Sequence, residues 1–413
     1  MTMKQFFIAL WVVSAGLTFQ FSAQAKSFNV NSVQDAVDVN PGDGICATAT
    51  GECTLRAAIQ ETNALPGADE IFVPGAVYTI TIPGALEDCA ASGDLDITDD
   101  LTIRGAGAQA TIVDGGGLDR VFQVLPPQPQ CGGTGVVSPN VRISGLTMRN
   151  GNVAATNDSG GGIYNSIPGA QGGFLTLVDV VVTGNSATFG GGIFNGWGAS
   201  ASMKGVTISN NAAAYGAGLY TRERGEVKIT NSTISGNRAT GGGGGIDTFF
   251  FANLLLTNVT IAENRAALVG GGINRESSSE RVVLSRTIVA DNLGQDCAGQ
   301  IISTGYNLDS DDTCSLTQPT DLPGRDPLLG PLRNNGGQTP TKALQAGSPA
   351  IDAGGTPATG CLPADQRSYL RPGDGIACDI GAYENGSTSP HSAGKNRQKS
   401  QQSSNKQKAQ EGN

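Results

Sequence analysis

The sequence predicts an all-β fold: a right-handed parallel β-helix with a short capping helix near the N-terminus and a disulfide-bearing C-terminal region. Residues 141–292 contain a repeat of about 26 residues, a period typical of solenoid proteins. Within the repeats, apolar and polar residues alternate over four to six positions, as expected of short strands. Glycine supplies 60 of the 413 residues, which favours a chain with many tight turns.

The chain begins with the features of a secretory signal sequence. Lys4 precedes a mainly apolar stretch at residues 6–21, and residues 23–25 (Ala-Gln-Ala) fit the pattern that signal peptidase cleaves. We expect cleavage between Ala25 and Lys26. The alternative is a membrane anchor, but the apolar stretch is short for an anchor and is interrupted by polar residues. No later segment of the sequence has the ~18 apolar residues needed to span a bilayer. We therefore expect an extracellular or cell-surface protein.

A capping helix and the first coils follow the predicted cleavage site. Thr54 is a suitable N-cap for a helix running to about Ala64, with Leu55 and Ile59 on one apolar face. Such a cap covers strand edges that a β-helix otherwise leaves open at its end. Short alternating segments then predict the first coil at residues 70–73 and 78–82, and the second coil at residues 101–107 and 111–115.

The central ladder is defined by two phrases that recur together. A closing asparagine recurs at steps of 26, 26, 27 and 28 residues, and a glycine run ending in an aliphatic residue accompanies it. A leucine-rich repeat would need a Leu-x-x-Leu-x-Leu spine, which the sequence lacks. Connections between parallel strands are right-handed, so we expect a right-handed helix. We expect the stacked asparagines to have a structural role. The asparagines are Asn185, Asn211, Asn237, Asn264 and Asn292, and the aliphatic residues are Ile163, Ile193, Leu219, Ile246 and Ile273.

All eight cysteines follow the predicted cleavage site, which indicates disulfides in an exported chain. We expect nearest-neighbour pairing, although other connectivities remain open from the sequence. Zinc is disfavoured because there is no Cys-x-x-Cys and the only histidine is His391. We expect no metal; calcium at Asp43 and Asp374 is the alternative, but they supply few of the oxygens that it takes. The expected pairs are Cys46 with Cys53, Cys89 with Cys131, Cys297 with Cys314, and Cys361 with Cys378.

The charge is distributed unevenly. The net charge of the whole chain is −10, and residues 385–413 carry +4. The rest of the chain therefore carries −14. An acidic body disfavours nucleic acid as a partner. The basic segment is polar and low in complexity, which predicts a disordered tail. We expect a monomer without a transmembrane segment in the mature chain.

Both ends of the chain resemble known families. Residues 53–59 (Cys-Thr-Leu-Arg-Ala-Ala-Ile), with Cys46 upstream, resemble the CSLREA domain of exported bacterial proteins, with Thr54 and Ala57 replacing that family's Ser and Glu. Residues 326–384 resemble the choice-of-anchor Q domain. The intervening Gly-Gly-Gly-Ile and Gly-Asn phrases are similar to the pectin-lyase-like superfamily and to polymorphic outer-membrane repeats. The choice-of-anchor hallmarks lie at residues 335–337, 348–354, 365–367 and 379–384.

The resemblance implies an exported β-helix and no established activity. It suggests five segments: a signal peptide at 1–25, a CSLREA-like cap at 26–66, the β-helix at 67–310, the choice-of-anchor Q-like region at 311–384, and the basic tail at 385–413. Relatives of this kind often end in a sorting anchor, whereas this chain ends in a basic polar tail.

Candidate catalytic groups are sparse. A hydrolase needs two or three converging carboxylates, and a lyase needs acids beside a basic residue. In register, Asp247 lies near Arg222 and Glu276, with Phe249, Phe250 and Phe251 beside it. We favour the other explanation of this arrangement, charge pairing across the surface of neighbouring coils. Nucleophile catalysis by serine or cysteine is disfavoured, because the folded part contains no histidine. We therefore assign no catalytic residue.

An aromatic column is the stronger indication of binding. If the marker aliphatics point inward, alternation places Tyr164, Phe194 and Tyr220 outward, where stacked rings would form an exposed platform, followed by Asp247. The alternative places these rings in the core. We predict a structural, adhesive or glycan-binding protein whose partner is polysaccharide or a surface protein, with no cofactor. The alternative is a polysaccharide lyase or glycoside hydrolase on the same fold.

Overall fold

The computed structural model describes residues 25–85, 87–131, 138–166, 174–373 and 375–387. The predicted signal sequence up to residue 24, Asp374, and the tail from residue 388 onward, including His391, lie outside these residues. No helix in the described part is long and apolar enough to cross a membrane.

The chain winds into a parallel β-helix whose coils cross three faces. Face A and face B form one continuous sheet, and face C forms a second. Face A contains β1 (Ser27–Asn29), β2 (Asp69–Val73), β5 (Leu101–Gly105), β8 (Asn140–Ser144), β11 (Phe174–Val178), β14 (Ser200–Lys204), β24 (Arg281–Ser285), β27 (Ile302–Ser303), and the first parts of β18 (Glu226–Ser235) and β21 (Asn253–Ala262).

The other two faces complete each coil. Face B contains β3 (Val77–Thr79), β6 (Ile112–Asp114), β9 (Thr147–Arg149), β12 (Val181–Thr183), β15 (Thr207–Ser209), β25 (Ile288–Ala290), β28 (Leu308–Asp309) and the second parts of β18 and β21. Face C contains β4 (Leu95–Ile97), β7 (Phe122–Val124), β10 (Ile163–Ser166), β13 (Ile193–Gly196), β17 (Leu219–Arg222), β20 (Ile246–Phe249), β23 (Ile273–Arg275) and β26 (Cys297–Ala298).

A short ladder and an antiparallel hairpin stand apart from the three faces. The ladder lies in the turn between faces B and C, and the hairpin follows the coils. The ladder is β16 (Ala212–Ala213), β19 (Arg238–Ala239) and β22 (Arg265–Ala266); the hairpin is β29 (Leu329–Arg333) and β30 (Thr341–Leu344); and 3₁₀ turns occur at Pro129–Cys131, Ala154–Thr156 and Pro357–Thr359.

The predicted register of the repeat is confirmed. Ile163 pairs with Ile193, Ile193 with Leu219, Leu219 with Ile246, and Ile246 with Ile273. All five side chains are completely buried, so each coil adds one aliphatic layer to a continuous core. Burial of such a layer supplies the main stabilising free energy of the solenoid.

The predicted asparagine ladder is also present. The amide of Asn185 donates to Asn211 Oδ1 at 3.0 Å, Asn211 donates to Asn237 at 2.9 Å, and Asn237 donates to Asn264 at 2.9 Å. Asn264 continues the chain to Asn292 at 3.0 Å. Each amide also bonds backbone groups of neighbouring coils, so the ladder closes buried turns whose polar groups would otherwise be unsatisfied.

The helix predicted after Thr54 is α1 (Leu55–Ala64). Thr54 Oγ1 accepts a hydrogen bond from the Ala57 amide at 3.1 Å, as expected of an N-cap. Arg56 is buried and donates to Asp35 at 2.6 Å and to the Gly93 carbonyl at 2.8 Å. Strand β1 from the same region pairs with β2, so the N-terminal region extends the sheet as well as carrying the helix.

Residues 326–373 and 375–387, here called the strap, pack along the side of the β-helix. Gln366 donates to Thr207 Oγ1 at 2.9 Å and accepts from Thr233 Oγ1 at 2.6 Å. The Ala382 amide donates to Thr260 Oγ1 at 3.0 Å. The strap therefore lies across successive coils of face B. The segment boundaries given by the sequence resemblance stay predictions.

Buried ion pairs hold the strap together. Arg367 pairs with Asp365 at 2.6 Å, and Arg371 pairs with Glu384 at 2.9 Å. Burial raises the pKa of Glu384 to about 7, despite the nearby Arg371. The Asp-Gln-Arg and Asp-Ile-Gly-Ala-Tyr-Glu phrases thus have a structural role: they fix the strap internally and dock it on the coils.

The structure contains the four predicted disulfides. They join Cys46 to Cys53, Cys89 to Cys131, Cys297 to Cys314, and Cys361 to Cys378.

Candidate functional site

The outward positions of face C form one column along the helix axis. The strand pairing aligns each residue with its counterpart in the next coil, so chemically unlike side chains stand directly above one another. The column runs through Asp96, Gln123, Tyr164, Phe194, Tyr220, Asp247 and Asn274.

Three rings in this column form a continuous stack. The ring centroids of Tyr164 and Phe194 are 5.1 Å apart with an interplanar angle of 4°. Those of Phe194 and Tyr220 are 5.8 Å apart at 11°. This spacing follows from the ~4.8 Å separation of adjacent parallel strands. The sequence therefore identified the three residues that come together.

The expectation of an exposed platform is wrong for two of the three rings. Phe194 and Tyr220 are each only 3% exposed. Phe189, from the turn that precedes β13, packs on Tyr220 at 5.2 Å and on Tyr215 at 5.7 Å. This second aromatic layer covers the column, and only Tyr164 is partly exposed. Alternation gave the direction of the rings but not what lies over them.

Asp247 is also inaccessible. It is completely buried, and Asn274 donates to both of its carboxylate oxygens at 3.3 Å. Burial raises the pKa of Asp247 well above its ordinary value, and the charge of the adjacent Glu276 raises it further. The predicted proximity of Asp247 and Glu276 is therefore present. However, a ligand cannot reach Asp247 without a rearrangement of the turn above it.

Arg120 organises a charged cluster beside Tyr164. Its guanidinium pairs with Asp94 at 3.2 Å and Asp158 at 2.6 Å, hydrogen-bonds Gln123, and lies 5.3 Å from the Tyr164 ring centroid. Burial lowers the pKa of Arg120, but the surrounding carboxylates outweigh this effect and leave it above its usual range. The cation is thus fixed at the end of the aromatic stack.

Tyr164 and this cluster line a cavity of about 430 Å³. Phe194 and Arg120 cover the two faces of the Tyr164 ring, so Tyr164 offers its ring edge to the cavity. Pro126 adds apolar surface, Gln123 an amide, and Asp88 and Asp158 carboxylates, so the cavity has both apolar and hydrogen-bonding walls. Such a combination suits a hydroxyl-rich ligand with an apolar face. The lining residues are Asp88, Arg120, Gln123, Leu125, Pro126, Gln128, Asp158, Tyr164 and Ser166.

A larger depression of about 630 Å³ lies on face A. Its charged side chains, Glu226, Lys228 and Arg281, occupy exposed strand positions. We favour the Tyr164 cavity, because its cation is buried and held in a fixed position by two ion pairs. An exposed row of strand side chains needs no ligand to explain it.

Carboxyl groups near the cavity have altered proton affinities. Burial raises the pKa of Asp88, which lines the cavity, although a hydrogen bond from Gln123 opposes the shift. Burial also raises the pKa of Asp94, behind the cavity wall. Among the described residues, no group of three or more His, Cys, Asp or Glu side chains is arranged to hold a metal ion.

Arg120, Asp158 and Asp88 were not among the site residues predicted from the sequence. Arg120 and Asp88 precede the regular ladder, where no repeat fixes the register. A signal was nevertheless available for Arg120. It lies two residues before Phe122, which pairs with Ile163, and alignment of that coil would have placed Arg120 near Tyr164.

No family model and no curated protein matches the chain. Among solved structures, a crystal structure of the pectate lyase Pel9A is similar over 87% of this chain and 97% of that chain, with 13% sequence identity and a TM-score of 0.38. At this identity, similarity concerns the fold alone, and the strand pairing itself carries the assignment. The chain is a parallel β-helix protein. The CSLREA and choice-of-anchor Q resemblances stay predictions.

Proposed function

We propose that the protein is an exported, secreted or surface-associated β-helix that binds polysaccharide at the Tyr164 cavity without altering it. The observation that carries the proposal is the fixed arrangement of a partly exposed ring beside a buried cation and several polar groups. A pyranose ring has an apolar C–H face and a rim of hydroxyls. The ring edge of Tyr164 and the Pro126 side chain would contact the apolar face. Gln123, Asp88 and Asp158 would hydrogen-bond the rim.

The charge at the cavity favours a neutral glycan. Arg120 is the one cation among the described residues that line the cavity, and it is already paired with Asp94 and Asp158. Asp88 adds a further acidic group. A uronic acid would therefore place its carboxylate among carboxylates, which is unfavourable at close range. Hydroxyl groups carry no such penalty.

The disulfides support the exported location. Four disulfides and no free cysteine in the described residues suit an oxidising compartment. Coils that are cross-linked by disulfides near both ends also suit a structural or adhesive role outside the cell. A surface protein is the other partner that we consider.

The second candidate function is glycoside hydrolysis or lyase activity at the same cavity. It is favoured by one observation: burial raises the pKa of Asp88 at the cavity wall, and a raised pKa is characteristic of a carboxyl group that acts as a general acid. However, Asp158 is engaged with Arg120, so the partner carboxylate that a hydrolase needs would have to leave an ion pair. Binding without conversion therefore remains our first proposal.

The test is binding of the purified chain, starting at Lys26, to immobilised neutral and acidic polysaccharides. We expect retention on a neutral polysaccharide, with loss on Tyr164→Ala. Phe174→Ala is the matched control, since it removes a half-exposed ring from the face A depression and should leave binding unchanged. Retention equal in wild type and Tyr164→Ala would overturn the proposed site.

The same incubations distinguish binding from catalysis. New reducing ends, or ultraviolet absorbance from unsaturated sugars, with or without calcium, would replace binding with the enzymatic alternative. Loss of that activity on Asp88→Asn would then assign the acid. Retention without either product supports a binding protein.

A further inference from the structure

The turns that lead from face C to face A carry bulky residues in an unfavourable backbone conformation. Trp197, Phe250 and Phe251 have φ angles of 51°, 48° and 61°. The left-handed region is normally reserved for glycine and asparagine, and a bulky aromatic residue there is an outlier. The same chain places Asn210, Asn231 and Asn258 at other left-handed positions.

These three side chains are exposed. Trp197 is 46% exposed, Phe250 is 52% exposed and Phe251 is 49% exposed. We call them the aromatic ridge. The left-handed backbone is a feature of this row of turns, because Glu223 and Arg224 on the intervening coil adopt it too. Exposed aromatic residues grouped on one row of turns commonly mark an interaction surface.

Stacked backbone hydrogen bonds fix the ridge. The Gly198 amide donates to the Glu223 carbonyl at 2.9 Å, and the Arg224 amide donates to the Phe250 carbonyl at 3.2 Å. The Phe250 and Phe251 ring centroids are 4.9 Å apart in an edge-to-face arrangement. The ridge is therefore a rigid feature, built from the same coil stacking as the sheets.

The ridge begins beside the Tyr164 cavity and runs along the axis. Trp197 directly follows Gly196, the register partner of Ser166, which lines the cavity. It lies three residues further along the chain than Phe194, the register partner of Tyr164. Phe250 directly follows β20, two coils further on. Tyr164, Trp197 and Phe250 thus span four successive coils, about 14 Å at ~4.8 Å per coil. Exposed Arg224 and half-buried Arg222 lie between them on the intervening coil.

We propose that the ridge and the Tyr164 cavity form one elongated site for a single neutral polysaccharide chain of the extended β-1,4-linked type, lying parallel to the axis. This inference rests on the proposed function and adds the length and shape of its ligand. One sugar unit of such a chain repeats over about the distance of one coil. Trp197 and Phe250 then stack on sugar faces, and the arginines between them donate to hydroxyls.

The charges around the ridge disfavour a lipid surface. Glu223 lies on the same row of turns, and the exposed Glu226 and Glu276 flank it. These carboxylates offset the charges of Arg222 and Arg224, so the ridge lacks the net positive charge that attracts a protein to an anionic membrane. A neutral glycan needs no such charge, and the exposed rings remain available to it.

The test uses the chain starting at Lys26 and calorimetric titration with β-1,4-linked gluco-, xylo- and chito-oligosaccharides, from disaccharide to octasaccharide. We expect affinity to rise about tenfold with length, because two further rings are engaged, and then to reach a plateau. The double variant Trp197→Asn, Phe250→Asn should lose this increase and keep disaccharide binding. Asparagine accepts the left-handed backbone, so the turns are expected to fold.

A second readout needs no variant of the ridge tryptophan. Trp11 is removed with residues 1–25, which leaves Trp197 as the one tryptophan of the chain. Its fluorescence should shift with a hexasaccharide and not with a disaccharide. Leu268→Asn is the matched control, because it removes an exposed apolar side chain from another turn. It should change neither measurement.

The outcomes separate the two proposals. If no oligosaccharide binds the wild type, the proposed function fails and the elongated site fails with it. If binding depends on Tyr164 but not on length, or if the double variant keeps the length dependence, the elongated site alone is overturned. A dimer that the double variant converts to monomer would assign the ridge to a second copy of the chain and overturn the glycan assignment.

Discussion

Asp309 links the stability of the last coil to pH. Its two carboxylate oxygens accept hydrogen bonds from the Cys314 amide at 3.0 Å and the Gly324 amide at 3.3 Å. Burial nevertheless raises the pKa of Asp309 from 3.8 to about 6. The folded state therefore binds this proton more tightly than the unfolded chain. The resulting stability is fully present below pH 3.8 and is lost as pH rises through about 6.

Asp309→Asn should remove this pH dependence. It keeps an acceptor oxygen for one of the two amides and loses the other hydrogen bond, a loss of stability that does not vary with pH. Between pH ~4 and ~7 we expect the free energy of unfolding of the wild type to fall by about 1 kcal/mol more than that of the variant, after allowing for partial hydration. Denaturant titrations at a series of pH values measure this difference. Asp312→Asn, an exposed residue of the same region, is the control; parallel curves for wild type and Asp309→Asn would contradict the prediction.

Phe194 and Trp197 show why single residues were the hardest to interpret. They lie three positions apart, yet Phe194 is 3% exposed and Trp197 is 46% exposed. Alternation predicts which way a side chain points from its strand. Exposure depends on the turns that fold over it, here through Phe189, and these turns do not follow the strand period. The aromatic column was therefore predictable, and its cover was not.

At the scale of the element, the asparagine ladder supplies hydrogen bonds to buried polar groups in the turns of neighbouring coils. Asn237 donates to Asn264 and to the Ile208 carbonyl at 3.0 Å, and its oxygen accepts from the backbone and side-chain amides of Asn211. It is 1% exposed. Water cannot reach these groups, so each must find a protein partner.

Asn237→Ala should lower the free energy of unfolding by about 3 kcal/mol. The reason is that the substitution leaves buried donors and acceptors of two neighbouring coils unpaired. Chemical denaturation followed by circular dichroism measures the loss. Asn253→Ala, at an exposed strand position, is the matched control and should change stability by less than about 0.5 kcal/mol. Equal effects of the two substitutions would show that the ladder is not a stabilising element.

The coils and the first helix were the elements most accessible to prediction. The marker phrases gave the register of face C, and Thr54 gave the start of α1. Both rest on local chemistry or on a constant sequence separation. The Arg120 cluster was missed because Asp94, Arg120 and Asp158 come from coils of unequal length, so no fixed spacing connects them.

At the scale of the whole molecule, the strap connects the end of the chain to earlier coils. Gln366 bonds Thr207 and Thr233, and Asn334 donates to Gln109 at 3.0 Å. Solenoid stability otherwise depends on nearest-neighbour contacts. A strap that contacts several coils at once makes their unfolding more cooperative.

Gln366→Ala should therefore lower the free energy of unfolding by about 2 kcal/mol, because Thr207, Thr233 and Thr339 lose a buried partner. We also expect protease cleavage within the strap before the coils unfold, since a released strap is a local opening. Thermal denaturation and limited proteolysis with mass spectrometry measure the two effects. Gln318→Ala, at an exposed site, should show neither; a strap that stays resistant in Gln366→Ala would argue against this role.

The sequence by itself determined the coil period, the inward aliphatic column and the asparagine ladder. Each of these depends on residues at a repeated or short separation, so the chain encodes it locally. Only the tertiary structure decided that Phe194 and Tyr220 are covered, that Arg120 joins Tyr164 at a cavity, and that the strap lies along face B. These features arise where turns of irregular length, or segments more than a hundred residues apart, meet on the outer surface of the coils.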